Sequence, residues 1–137
     1  MNEPCDKALD PREWLRRARS NLERAAVRTP HSCLEDLCFD AQQAAEKALK
    51  GVLVARGISF PYIHNLARLV KLLRDAQEAV PESVRQAKRL TAFAVTSRYP
   101  GIAKEVTDEQ HREALAIAEA VVKWAEESIP GKGGRPA

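Results

Sequence analysis

The stretch Phe39-Asp40-Ala41-Gln42-Gln43-Ala44-Ala45-Glu46-Lys47-Ala48-Leu49-Lys50 lies inside an unbroken helical pattern and sets small residues against a dense polar ladder. Leu34, Cys38, Ala41, Ala45, Ala48, Val52 and Ala55 alternate steps of four and three, a seam of mostly small side chains along which another helix can approach closely. Leu37, Leu49 and Leu53 add bulk beside it. The pattern predicts a helix from Cys33 to about Arg56, with Gly57 able to take the left-handed conformation just past its end. About 24 residues at about 1.5 Å each give roughly 36 Å, enough to cross a small domain.

Outward from this segment the chain reads as more helices. Asp10-Pro11-Arg12-Glu13 supplies a cap, a first-turn proline and a capping-box glutamate for a helix running to about Arg28, with Leu15, Ala18, Leu22 and Ala25 as its apolar stripe. Thr29-Pro30 breaks the chain and Ser32-Cys33-Leu34-Glu35 starts the long helix. Ile58 to Ile63 forms an ordered crossover, and Asn65 caps a third helix that buries Leu66, Leu69, Val70, Leu73 and Ala76. A fourth helix begins at Pro81, carries Val84, Ala87, Leu90 and Ala94, and ends near Arg98 before Pro100-Gly101. Thr107-Asp108-Glu109-Gln110 writes another capping box, and Ala114, Leu115, Ala118, Val121, Val122 and Ala125 face inward in the last helix. With no period-two alternation and no internal repeat, the expected fold is all-α: an up-and-down antiparallel bundle of four to five helices.

A chain of 137 residues suits one domain. Residues 10–129 are expected to form the bundle, with 1–9 and the glycine-rich 130–137 as flexible ends that lack the apolar pattern needed to offset ordering entropy. The 45% apolar and 30% charged content is that of an ordinary globular protein, and no run is long or apolar enough for a membrane span or a signal sequence. A cytoplasmic location is therefore expected. Cys5, Cys33 and Cys38 lack metal-ligand spacing and suit reduced thiols, with Cys38 in the core.

The net charge of +3 is too small to argue for nucleic acid, but it is uneven. Arg12, Arg16, Arg17, Arg19, Arg24 and Arg28 crowd the first helix, while Glu105, Asp108, Glu109, Glu113, Glu119, Glu126 and Glu127 dominate the last. Attraction between these two helices, or plain solvated faces, accounts for the asymmetry better than RNA binding does. No nucleophile with an adjacent base, no glycine-rich phosphate loop and no metal-ligand cluster can be read, so no catalytic residue, metal or cofactor is assigned.

Gln43-x-x-Glu46-Lys47-x-x-Lys50 on a long helix, then His64-Asn65-Leu66, then Arg98-Tyr99-Pro100, in this order and spacing, resembles the HEPN domains. The similarity covers about residues 10 to 129, and its specificity lies in the joint pattern. The resemblance implies an antiparallel helical bundle, usually a homodimer, found in prokaryotes beside or fused to a minimal nucleotidyltransferase and often within toxin and antitoxin pairs. Many relatives are metal-independent ribonucleases that carry an Arg and a His separated by about four to six residues before the final helix. This chain lacks that motif there: His64 and His111 have no arginine at the required upstream distance, and Ser97-Arg98-Tyr99 falls where those relatives place His, any residue and Tyr. Arg24 and His31 match formally, but Thr29-Pro30 interrupts the span.

The polar ladder has two readings. Gln42, Glu46 and Lys50 fall on one stripe at intervals of four, with Gln43 and Lys47 on the next. They can be an exposed ladder whose Glu46–Lys50 pair contributes about 0.3 to 0.5 kcal/mol. Alternatively Lys47 and Lys50 supply charge for a phosphate while Gln43 and Glu46 orient it or read a base or ribose. His64 either caps the third helix or meets an anion there, and Arg98 and Tyr99 either close the bundle or grip and stack a ligand. The candidate ligand-binding set is Gln43, Glu46, Lys47, Lys50, His64, Arg98 and Tyr99. The expected function is a HEPN partner or substrate-binding module that dimerises, contacts a nucleotidyltransferase and binds a nucleotide. An atypical ribonuclease toxin and a purely structural dimerisation module are the alternatives.

Overall fold

The computed structural model describes residues 10–94 and 105–129, and every structural statement below concerns those residues. It is all-α: α1 (Pro11–Ala26), α2 (Leu34–Ala55), α3 (Leu66–Asp75), the short α4 (Glu82–Arg85) running into a 3-10 stretch (Gln86–Ala94), and α5 (Asp108–Ser128).

The helix ends follow the chemistry of their caps. Asp10 accepts the Arg12 backbone amide at 2.8 Å, with Pro11 in the first turn. The capping box expected of Glu13 does not form, because Glu13 is drawn instead to Arg16 and Arg17, whose hydrogen bonds hold its carboxyl at a pKa of about 2. Thr107 and Gln110 do form a reciprocal box at the start of α5. α2 ends where Gly57 takes φ +71°: the Gly57 amide donates to Val54 and the Ile58 amide to Leu53, closing the last carbonyls.

α1 and α2 pack antiparallel, with Trp14 beside Gly51 at one end and Arg24 paired to Asp40 at the other. α5 also runs antiparallel to α1. Arg19 bonds Glu126, the enclosed His111 donates from Nε2 to the Ala25 carbonyl at 2.8 Å, and Arg28 pairs with Asp108. The opposite charges of the first and last helices thus meet across a real interface. α2 and α5 run side by side in the same direction, since Glu35 receives the Val106 amide at one end and Arg56 reaches the Ser128 carbonyl at the other. The small seam of α2 lies at their centre: Cys38, Ala41, Ala45, Ala48 and Val52 are fully enclosed with Leu49 and Leu53. Close approach of three helices is what these short side chains permit.

The fourth helix differs from expectation. Only Glu82–Arg85 is α-helical, and Gln86–Ala94 winds as a 3-10 helix. Val84, Ala87, Leu90 and Phe93 are spaced by threes, which lines up on one face at three residues per turn but drifts at 3.6. Packing of that face, with Val84, Ala87 and Leu90 buried, supports a longer 3-10 run than isolated peptides sustain. The expected end near Arg98 lies outside the described residues.

Candidate functional site

The turn at Gly57 sends the linker back across α2. In an extended linker alternate residues share a side, and Phe60, Tyr62 and His64 stand at that spacing over the polar stripe. Phe60 is buried, whereas Tyr62 and His64 are exposed. The far end of the linker is tied down by Asn65, whose Oδ1 accepts the Arg68 amide at 3.1 Å, and by the Leu66 amide donating to Thr91 Oγ1.

Glu46 is the hub. Its carboxylate accepts from Gln42 Nε2 at 2.8 Å and Lys50 Nζ at 3.0 Å, and meets His64 Nδ1 at 2.9 Å. A carboxylate offers only acceptors, so the ring nitrogen facing it carries the hydrogen and Nε2 is left for another partner. The Lys50 ammonium lies 5.6 Å from the Phe60 ring centre and 5.4 Å from that of Tyr62, within cation–π reach. Gln43 joins at the edge by donating to Gln42 Oε1 at 2.8 Å.

The expected exposed Glu46–Lys50 pair is therefore a buried one: the side chains are 5% and 3% exposed. The spacing was right, but folding the Phe60-to-His64 linker over the helix removed the water. Lys50 is consequently matched by Glu46 rather than offered as free charge. The group open to a ligand is the His64 imidazole, 52% exposed, whose ring stands 6.1 Å from that of Tyr62 at 59°.

Lys47 belongs to a different network on the side of α2 that faces α1. Its Nζ donates to Asn21 Oδ1 at 2.8 Å, Asn21 Nδ2 donates to Asp40 Oδ1 at 3.0 Å, and Arg24 also bonds Asp40. Partial burial, with smaller contributions from Arg24 and Arg17, pushes the Lys47 pKa down.

Of the residues singled out by sequence, Glu46, Lys50 and His64 come together, Gln43 touches them through Gln42, and Lys47 does not join them. Arg98 and Tyr99 lie outside the described residues. The sequence motifs do not single out Phe60 and Tyr62, although their two-residue spacing to His64 is a usable signal, and Gln42 belongs to the ladder but not to the candidate set. Arg24 is held by Asp40, while His31 sits exposed in the turn before α2. Among the described residues no three His, Cys, Asp or Glu gather as a metal would require, and no helix is long and apolar enough to cross a membrane.

Comparison with known proteins follows the same lines. No curated protein matches. Among solved structures, the chain is similar to TT1696 from Thermus thermophilus, with 34% identity and a TM-score of 0.73 over 87% of this chain and 98% of that one. It is also similar to ST0689, described as an archaeal HEPN homologue, with 27% identity and a TM-score of 0.69 over 87% and 97% of the two chains. The family model for the HEPN domain matches residues 11–128, nearly the whole helical region, and the chain belongs to the HEPN family.

Proposed function

We propose that this HEPN domain is a binding module: a homodimeric helical partner of a minimal nucleotidyltransferase, in a system of the toxin and antitoxin kind, that takes a nucleotide beside α2. The observation that carries the reading is the buried Glu46 carboxylate holding the His64 imidazole at the surface next to the exposed Tyr62 ring. A buried carboxylate with three donors fixes orientation, because each partner loses a charge-assisted bond if it moves. The fixed imidazole can bond a phosphate or base edge through Nε2 while Tyr62 supplies an aromatic face for stacking. Gln43, at the edge of the same cluster, adds an amide within reach of a ribose or base. Lys47 is assigned to the α1 contact instead.

The ribonuclease alternative finds less support, since the guanidinium of its formal Arg24 and His31 pair is engaged by Asp40 on α2. Calorimetric titration of the full chain with ATP tests the binding role. Saturable heat, weakened at least about tenfold (about 1.4 kcal/mol) by His64→Ala or Tyr62→Ala, is the expected result. No heat at millimolar ATP favours a purely structural module, and cleavage of RNA by the purified chain, lost in His31→Ala, favours the nuclease. Co-purification with a nucleotidyltransferase encoded beside it tests the partnership separately.

A further inference from the structure

An open groove of about 640 Å³, lined by none of the residues of the His64 cluster, runs between α3 and the α4/3-10 segment. Its floor includes Val70, and its walls carry four cations, Lys71 and Arg74 from α3 and Arg85 and Lys88 from the facing segment, against two acids, Asp75 and Glu82. The acids are engaged locally: Lys71 pairs with Asp75 at 2.9 Å and Arg85 with Glu82 at 2.8 Å. Arg74 and Lys88 have no acidic partner among the described residues. Arg74 sits in the last turn of α3, where a cation is favourable for the helix itself, but Lys88 has no such role. Arg85 adds an enclosed Nε–H with no protein acceptor.

We infer that this groove is an anion site for an oligophosphate, a chain of at least two linked phosphates, separate from the His64 cluster. Cations on both walls match a ligand carrying negative charge along its length better than a single compact ion. The Lys71–Asp75 pair is exposed and the Arg85–Glu82 pair, with Arg85 half-buried, reaches the surface through Glu82; pairs in contact with water contribute only about 0 to 1 kcal/mol, so both cations can turn to a stronger acceptor. Phosphate oxygens accept the forked guanidinium bonds of Arg74 and Arg85 directly. None of the lining side chains is aromatic, so no base is stacked and the phosphates alone are read.

Inorganic tripolyphosphate is the probe, titrated into the full chain by calorimetry at low salt, with ATP and a short single-stranded RNA as separate arms. Saturable tripolyphosphate binding is expected. Arg74→Ala with Lys88→Ala weakens it by about tenfold or more, equivalent to about 1.4 kcal/mol, and Glu82→Gln tightens it by removing a competing acid. His64→Ala leaves it unchanged, so the groove and the His64 site stand or fall independently. In the His64→Ala background, which weakens ATP binding at the other site, residual ATP binding lost on adding Arg74→Ala and Lys88→Ala makes a nucleoside triphosphate tail the source of the phosphates, whereas tripolyphosphate binding without ATP binding in that background makes it a free oligophosphate. Absent heat with millimolar tripolyphosphate, equal binding by the double variant, or binding of RNA alone overturns the assignment. Circular dichroism of the variants confirms that any loss is not loss of fold, as expected for exposed positions.

Discussion

Glu46 and Lys50, one helical turn apart on α2, form an ion pair at 3.0 Å that is almost wholly withdrawn from water. At the surface this spacing is a minor stabiliser; enclosed, it makes each partner dependent on the other. Removing one charge strands its neighbour, which costs about 3 to 5 kcal/mol, whereas replacing both by apolar groups of similar volume is often neutral. Lys50→Met and Glu46→Leu are each expected to lower urea-unfolding stability by about 3 kcal/mol, with the double variant less destabilised than the sum of the two but still short of the wild type, because the buried Gln42 amide keeps no acceptor. Additive losses would show that the pair is not coupled as described.

Gln77 offers the opposite case, a residue the fold holds at a loss. It takes φ +71° after α3, with its amide bonded to the Arg74 carbonyl and the Glu78 amide to that of Leu73. That is the position at which glycine closes a helix without a Cβ penalty. Gln77→Gly is expected to stabilise the protein by about 0.5 to 1 kcal/mol, read as a raised denaturation midpoint. Gly57, at the equivalent place after α2, should lose a similar amount as Gly57→Ala.

Gly51 tests the close approach of α1 and α2. A Cβ there would stand 3.1 Å from Trp14 Cβ and 3.4 Å from the Pro11 carbonyl oxygen. Alanine gains about 0.8 to 1.0 kcal/mol of helix propensity, but the atoms it meets are anchored to the α1 backbone and overpacking costs about 1 to 3 kcal/mol. Gly51→Ala is expected to destabilise by about 1 kcal/mol net. A stabilised variant would mean that α1 moves more freely against α2 than its packing implies.

The two described cysteines differ in reactivity. Burial, helped by Glu35, pushes the Cys38 thiol up to about 11, and the side chain is fully enclosed. Cys33 is exposed at the start of α2. Iodoacetamide at pH 8 should label Cys33 in the native protein and reach Cys38 only after unfolding, because the thiolate is the nucleophile. Peptide mass mapping separates the two sites.

Lys47 should leave a signature at alkaline pH. Its folded pKa lies below the 10.5 of the unfolded chain, so between the two values the unfolded state binds more protons and stability rises with pH. The Lys47→Met variant lacks this contribution. Urea midpoints from pH 8 to 10.5 are expected to climb in the wild type relative to the variant, and a parallel course in both would remove the assigned desolvation.

Helix boundaries were legible because they rest on local chemistry. Leu34–Ala55 falls within a residue of its expected limits, and Asn65 and the Thr107 box cap as their side chains dictate. Where local signals compete, the reading slipped: Glu13 had two arginines within one turn to choose over a cap. The 3-10 winding of Gln86–Ala94 is written in the spacing of Val84, Ala87, Leu90 and Phe93 by threes, but the series Val84, Ala87, Leu90 and Ala94, which mixes steps of three and four, fits an α-helix as well.

The amino-acid order alone determined that this chain is a helical bundle, where α2, α3 and α5 begin and where α2 ends, and that Gln42, Glu46 and Lys50 share one stripe, since propensity, capping and periodicity act over neighbouring residues. Only the tertiary structure decided which polar residues lose their water. Phe60, Tyr62 and His64 close over one stripe and α1 over the other, turning Glu46 into a buried hub and sending Lys47 to Asn21. Burial depends on segments distant in sequence meeting in space, and the strength of a charge pair follows from that meeting rather than from its spacing.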